Sequence, residues 1–241
     1  MPTSLAVRYD RGSPEIVIVN RSRDVDDRRL AHITRALQTQ VDRDFFPLWG
    51  WRAKLLFNPP RKRPQAMKIE ISEAPDDDDA LGYHFIDGVP ITAVFTRDLQ
   101  GNVVEDFEST LSHEVLEMIA DPGVNLYALG HYRRGKIKQH AFIPFEVCDP
   151  VQGNLYKIDG VKVSDFVVPE WFEPERKRGS MPFSFRKSVD RPFAIAEGGY
   201  VDAVVGRTIH TVWGPSADKK KRRHRLLVRR RVLAGKSSPA R

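Results

Sequence analysis

Between Pro14 and Phe57 the chain reads strand, helix, strand, and this order constrains its fold more than any other stretch. Residues 14–20 (Pro-Glu-Ile-Val-Ile-Val-Asn) are short, β-branched and bounded by turn formers, the pattern of a buried strand. Asp24, Asp26 and Asp27 then precede Leu30, Ile33, Leu37 and Val41. That spacing puts one apolar stripe on a helix over about 25–43, with carboxylates at the end where the helix dipole favours them. An aromatic cluster follows (Phe45, Phe46, Trp49, Trp51), and Arg52–Phe57 reads as a second strand closed by Asn58-Pro59-Pro60.

The same pattern continues to residue 123. Met67–Ser72 alternates apolar and polar residues, the signature of a half-buried strand. Gly82–Ile86 and Pro90–Thr96 read as short strands joined by Asp87-Gly88. A helix over about 104–120 carries Val104, Phe107, Leu111, Val115 and Met118 at helical spacing, and Asp121-Pro122-Gly123 stops it. Beyond it lie strand-like pieces at 141–147, 154–158, 161–168 and 200–205, with many prolines between. The expected class is α/β (α+β). One globular domain is expected over 1–215, with a sheet-and-helix half at 14–123 and a strand- and loop-rich half at 124–215. A basic tail follows at 216–241.

Composition bounds the rest. The chain has a single cysteine, Cys148, so no intrachain disulfide forms. The first residues show no apolar leader, and no apolar run approaches the roughly 20 residues that span a bilayer. The cytoplasm is the expected compartment. The net charge of +7 is an average over unlike parts: Lys219–Arg241 holds eleven Lys/Arg and no acid, which leaves the body at −4.

Chemistry concentrates in Ser112-His113-Glu114-Val115-Leu116-Glu117. Residues four apart share a helix face, so His113 and Glu117 project together and both can ligate a metal. Glu114 lies beside that face, within reach of a water on the metal. Leu111, Val115 and Met118 fall on the other side and would bury the helix, leaving the polar face to line a cleft.

These residues resemble the zincins, metallopeptidases that carry His-Glu-x-x-His on an active-site helix. In that family the two histidines bind zinc and the glutamate is the general base. Here Glu117 stands where the second histidine would be. The resemblance covers about residues 14–123 and implies a zincin-like mixed twisted sheet. In it, one of the strands at 82–86 or 90–96 is the edge that pairs with an extended peptide, just before the active-site helix. It further implies a metal-dependent hydrolase, a peptidase in which Glu114 takes a proton from a metal-bound water. Catalytic zinc accepts carboxylate as well as imidazole ligands. The added charge of Glu117 weakens the metal as a Lewis acid and makes harder ions, Mn²⁺ or Ca²⁺, alternatives to Zn²⁺.

A third ligand is drawn from His131, His140, Glu146, Asp149 and Asp165. Phe145-Glu146-Val147-Cys148-Asp149-Pro150 is favoured because it holds two carboxylates three apart, Glu146 first and Asp149 next. Asp121, two turns after His113, is expected to orient it as a hydrogen-bond acceptor. Tyr156, Tyr200 or His210 would donate to a developing oxyanion.

Other features read more plainly. Asp76–Asp79 lacks the spacing of a calcium loop and is expected to be a solvated turn. Cys148 reads as a small core residue, Gly198-Gly199 as a turn, and Trp171-Phe172 as packing under a loop. A Glu-x-x-Glu di-iron bundle needs four packed helices, which this chain lacks. Two alternatives to a peptidase remain. One is a catalytically inactive zincin-fold protein with a structural metal. The other is a nucleic-acid-associated protein that binds phosphates, or another anionic surface, through 219–241.

Overall fold

The computed structural model describes residues 13–74, 82–98, 100–134 and 137–215. The Asp76–Asp79 run and the basic tail from 216 onward lie outside the described residues.

Strand β1 (Glu15–Asn20) leads into helix α1 (Asp27–Thr39). The Asp26 carboxylate caps the helix by accepting the Arg29 N–H at 2.8 Å. Its apolar stripe, Leu30, Ile33, Ala36 and Leu37, is buried in one core with Ile16, Ile18, Ile69 and Ile71. The helix expected to reach residue 43 changes form first. Gln40–Phe45 is a π-helix, and the four-residue helix α2 (Phe46–Trp49) follows, closed by Gly50 in the left-handed region. Gln40, Val41, Asp44 and Phe45 are all buried there, and Phe45 stacks on Trp49 at 5.6 Å.

Strands β2 (Lys54–Phe57), β3 (Met67–Ser72), β4 (Gly82–Asp87) and β5 (Val89–Phe95) complete the first sheet, in the order β2-β1-β3-β5-β4. The pairs β1–β2, β1–β3 and β3–β5 are parallel, whereas β4 runs antiparallel to β5 at the edge. Parallel neighbours need a crossover, and α1 supplies the one from β1 to β2. The architecture is therefore a mixed α/β fold.

Helix α3 (Phe107–Ala120) packs against β5 and β4 and, through other residues, against a later hairpin. The expectation of a polar face open to a cleft is corrected here. Every residue from Leu111 to Asp121 is buried, His113, Glu114 and Glu117 included. The second half of the chain folds over the face that periodicity alone would leave to solvent.

That half forms β6 (Tyr127–Arg134), β7 (Ile137–Pro144), β8 (Leu155–Ile158), β9 (Val161–Ser164), β10 (Tyr200–Val205) and β11 (Thr208–Trp213). A four-stranded antiparallel sheet runs β11-β10-β7-β6, and β8 pairs with β9 as the hairpin that meets α3. The pieces expected at 141–147 and 161–168 stop earlier, at Pro144 and Ser164, where the chain turns toward α3. One cluster of buried apolar residues extends from Ile16 to Ala203 and draws on both halves. Among the described residues no helix is long and apolar enough to cross a membrane.

Candidate metal centre

Two short segments build the centre. Helix α3 presents His113 and Glu117 one turn apart, as the i, i+4 spacing dictates. The loop after β7 carries Glu146, Val147 and Cys148 into a 3-10 turn at Asp149–Val151. The His113 Nε2 lies 3.0 Å from Glu117 Oε2 and 3.2 Å from Asp149 Oδ1. The second Glu117 oxygen, Oε1, accepts the Cys148 N–H at 3.2 Å. Carboxylate oxygens of Glu117, Glu146 and Asp149 all lie within 4.8 Å of one another, and so do ligand atoms of His113, Glu117 and Cys148.

The loop has a reason to hold this shape. Val147 O accepts the Val167 N–H at 2.7 Å, and Pro150 O accepts the Ala196 N–H at 2.9 Å. The backbone at Gly199 passes so close that a Cβ there would sit 2.2 Å from Pro150 O, so only glycine fits. The Gly198-Gly199 pair is thus a turn, as expected, and also a seat for the ligand loop.

Burial governs the electrostatics. The side chains of His113, Glu117 and Asp149 are only 4–6% exposed. Burial by itself favours the neutral imidazole. The charge of Glu117 and the hydrogen bonds that the ring donates to Asp149 and Glu117 outweigh it and raise the His113 pKa to about 10. Without a metal, the ring is an imidazolium clamped between two carboxylates. Burial pushes the Cys148 thiol well above its ordinary value, and Sγ lies 3.8 Å from the carbonyl of His113. Cys148 is fully buried, in keeping with a core residue, yet it also borders the cluster.

The donor set fits a tetrahedral ion. Zinc bound at about 2.0 Å to nitrogen and oxygen spaces its ligand atoms about 3.3 Å apart. The two contacts of His113 Nε2 are within a few tenths of an ångström of that spacing. A small crevice with room for about one water reaches the cluster, and Glu146, Asp149, Pro150, Trp171 and Asp202 help to line it.

The sequence-derived residues separate in three dimensions. His113, Glu117, Glu146 and Asp149 come together, with Asp149 the carboxylate in direct contact with His113. Glu114 is buried on α3, next in sequence to His113. Asp121 lies eight residues, about 12 Å of helix axis, beyond His113. Its carboxylate accepts the backbone N–H groups of Asn125 and Leu126, which shapes the turn after α3. Asp165 accepts from Phe166 N, Arg186 N and Ser188 Oγ and serves a separate loop. His131 and His140 face each other on the exposed side of the β6–β7 hairpin. Of the oxyanion donors considered, Tyr156 gives its hydroxyl to Asp44 at 2.9 Å, His210 stacks on Tyr132, and Tyr200 stacks on Trp213. Trp171 and Phe172 pack together in the core, and Trp171 also forms one wall of the crevice.

Two features were missed. Asp202 is buried in β10, accepts the Thr211 hydroxyl at 2.6 Å and lines the crevice. The signal was there: a lone carboxylate in the apolar run Tyr200-Val201-Asp202-Ala203-Val204-Val205. The other is a polar chain inside the core. Ser112 Oγ donates to Gln40 Oε1 at 2.8 Å and accepts Ser164 N–H at 2.9 Å. The Gln40 amide nitrogen donates to Ser164 O and to the Tyr156 hydroxyl. This chain fastens α3, one residue before His113, to the π-helix and to β9.

No protein-family model, no curated protein and no solved structure matches this chain.

Proposed function

We propose that this protein is a metal-dependent hydrolase on a zincin-like scaffold, acting on a peptide bond. The observation that carries the reading is the contact of one buried imidazole nitrogen with two carboxylates, Glu117 at 3.0 Å and Asp149 at 3.2 Å. Buried imidazole and carboxylate groups at ligand spacing are what a catalytic zinc site uses. Asp149, in contact with His113, is taken as the third ligand, and Glu146 stands beside it in the same carboxylate group at the crevice. The sheet order adds support, since β4 is an antiparallel edge strand preceding α3 and paired on one side with β5. An extended peptide can add to such an edge.

A bound Zn²⁺ would supply Lewis-acid polarisation of a water and of the scissile carbonyl. Glu114 would act as general base, taking one proton from the water whose oxygen attacks the carbonyl carbon. The proton then passes to the amine nitrogen as the C–N bond breaks. His113, Glu117 and Asp149 would hold the ion, and Asp149 also lines the small crevice beside it.

The depth of burial favours a second reading, a structural metal in a catalytically inactive chain. The first experiment separates both readings from a metal-free protein. Mass spectrometry of protein purified without chelator or nickel resin should find about one equivalent of zinc or manganese, lost in His113→Ala. Metal-free wild type, even after zinc is added back, removes both readings. Metal without turnover on a peptide library leaves the structural one.

A further inference from the structure

We propose that His131 and His140 form a second, outward-facing metal site that takes a borderline divalent transition ion of the Cu²⁺, Ni²⁺ or Zn²⁺ class. The two residues are direct partners across the antiparallel β6–β7 hairpin, in a register that runs unbroken from Tyr127↔Pro144 to Arg134↔Ile137. Both side chains are exposed, and their ring centroids lie 5.0 Å apart with 34° between the planes.

That separation suits chelation. A metal about 2.0 Å from an imidazole nitrogen sits about 3.1 Å from the ring centre, so two rings on one ion at a tetrahedral angle have centres about 5 Å apart. The hairpin therefore presents both rings at chelating distance with no backbone movement. Imidazole suits Cu, Ni and Zn, and Cu²⁺ binds tightest of the three. The ligating form is also available at neutral pH. Desolvation first, then the charge of Lys138 and the neighbouring His140, hold His131 below the ordinary imidazole range, and the opposing pull of Glu175 is smaller.

The site is separate from the buried centre. His140 lies four residues, about 13 Å of strand, from Pro144 at the crevice. The exposed pair Leu129 and Phe142, each 54% exposed, lies between the two along the hairpin.

Cu²⁺ titration of the full-length, metal-stripped chain tests the inference, read by equilibrium dialysis and by electron paramagnetic resonance. The His113→Ala chain, which lacks the buried site, should still bind about one Cu²⁺ with hyperfine coupling to two nitrogens. Adding His131→Gln or His140→Gln should weaken that binding at least about tenfold and leave one coupled nitrogen. The same single changes in the otherwise intact chain guard against misfolding of His113→Ala, because both positions are exposed and the melting temperature should not move. Unchanged Cu²⁺ affinity on loss of either ring overturns the proposal, and so does a His113→Ala chain that is folded but takes up no Cu²⁺. Neither result bears on the buried centre, which includes neither His131 nor His140.

Discussion

Glu117 joins the helix to the ligand loop: one carboxylate oxygen meets His113 Nε2 at 3.0 Å while the other accepts the Cys148 amide at 3.2 Å. The residue standing in the place of a second histidine thus does two jobs that imidazole could not do together. It offers an anionic oxygen to His113 and receives a main-chain N–H from the opposite segment. Glu117→Gln keeps an oxygen for Cys148 and loses the charge; Glu117→Ala loses both. Metal content should fall in each variant. Stability of the metal-free protein should fall further in Glu117→Ala, by about 1–3 kcal/mol relative to Glu117→Gln, because a buried amide is left unpaired. Denaturant unfolding of the chelated proteins measures the difference.

Glu114→Gln should abolish hydrolysis while about one equivalent of metal stays bound, since a neutral amide cannot take the proton from water. Turnover at the wild-type rate would remove Glu114 as the base.

The metal-free centre should be sensitive to alkali. The folded-state pKa of His113 is raised, to about 10, above its ordinary value of 6.5. The sign follows from linkage: the imidazolium contributes stability that is complete below about 6.5 and is lost as pH rises through about 10. His113→Gln should flatten this pH dependence. Metal must displace the same proton, so zinc uptake near neutral pH should release about one proton per ion. Calorimetry in buffers of different ionisation enthalpy reads that release directly.

Gly199→Ala should disturb the centre from a distance. The added methyl would meet Pro150 O at 2.2 Å, and Pro150 is next to Asp149. Overpacking of this kind costs about 1–3 kcal/mol. Metal affinity should fall along with the melting temperature, because the loop that carries Asp149 must move.

Ser112→Ala should cost about 1–3 kcal/mol, as Gln40 Oε1 and the Ser164 amide both lose a buried partner. Gln40→Leu should cost more, since it also removes the donors to Ser164 O and to Tyr156.

The legible parts of the chain are those whose burial follows a local period. β3 alternates in sequence and in burial over Met67–Ser72, and its bounds are those the sequence predicts. The stripe of α1 is likewise local. β6 and β11, the two edges of the second sheet, gave no signal, because edge strands with one exposed side mix apolar and charged residues along both faces. The burial of α3 was illegible for a different reason. Glu114 and Glu117 read as lining an open cleft, whereas both are buried in the folded chain, where the loop after β7 packs against Glu117. At the centre, His113 and Glu117 were legible because four residues make one helical turn. The contact of Asp149 with His113 was not, since it depends on a 3-10 turn fixed by contacts with residues 167, 196 and 199.

The π-helix sets a register for everything after it. A π-turn carries one residue more than an α-turn, and one residue is about 100° of rotation along a helix. Upstream of that extra residue, α1 aims its stripe at the first sheet; downstream, Phe45 and Trp49 aim at the aromatic core around Phe166 and Phe172. Loss of a single residue from Gln40–Phe45 would swing one of these faces away from its partner. The length of this short segment is therefore as firmly fixed as its composition, and an aligned sequence one residue shorter here would have to rebuild the wall behind α3.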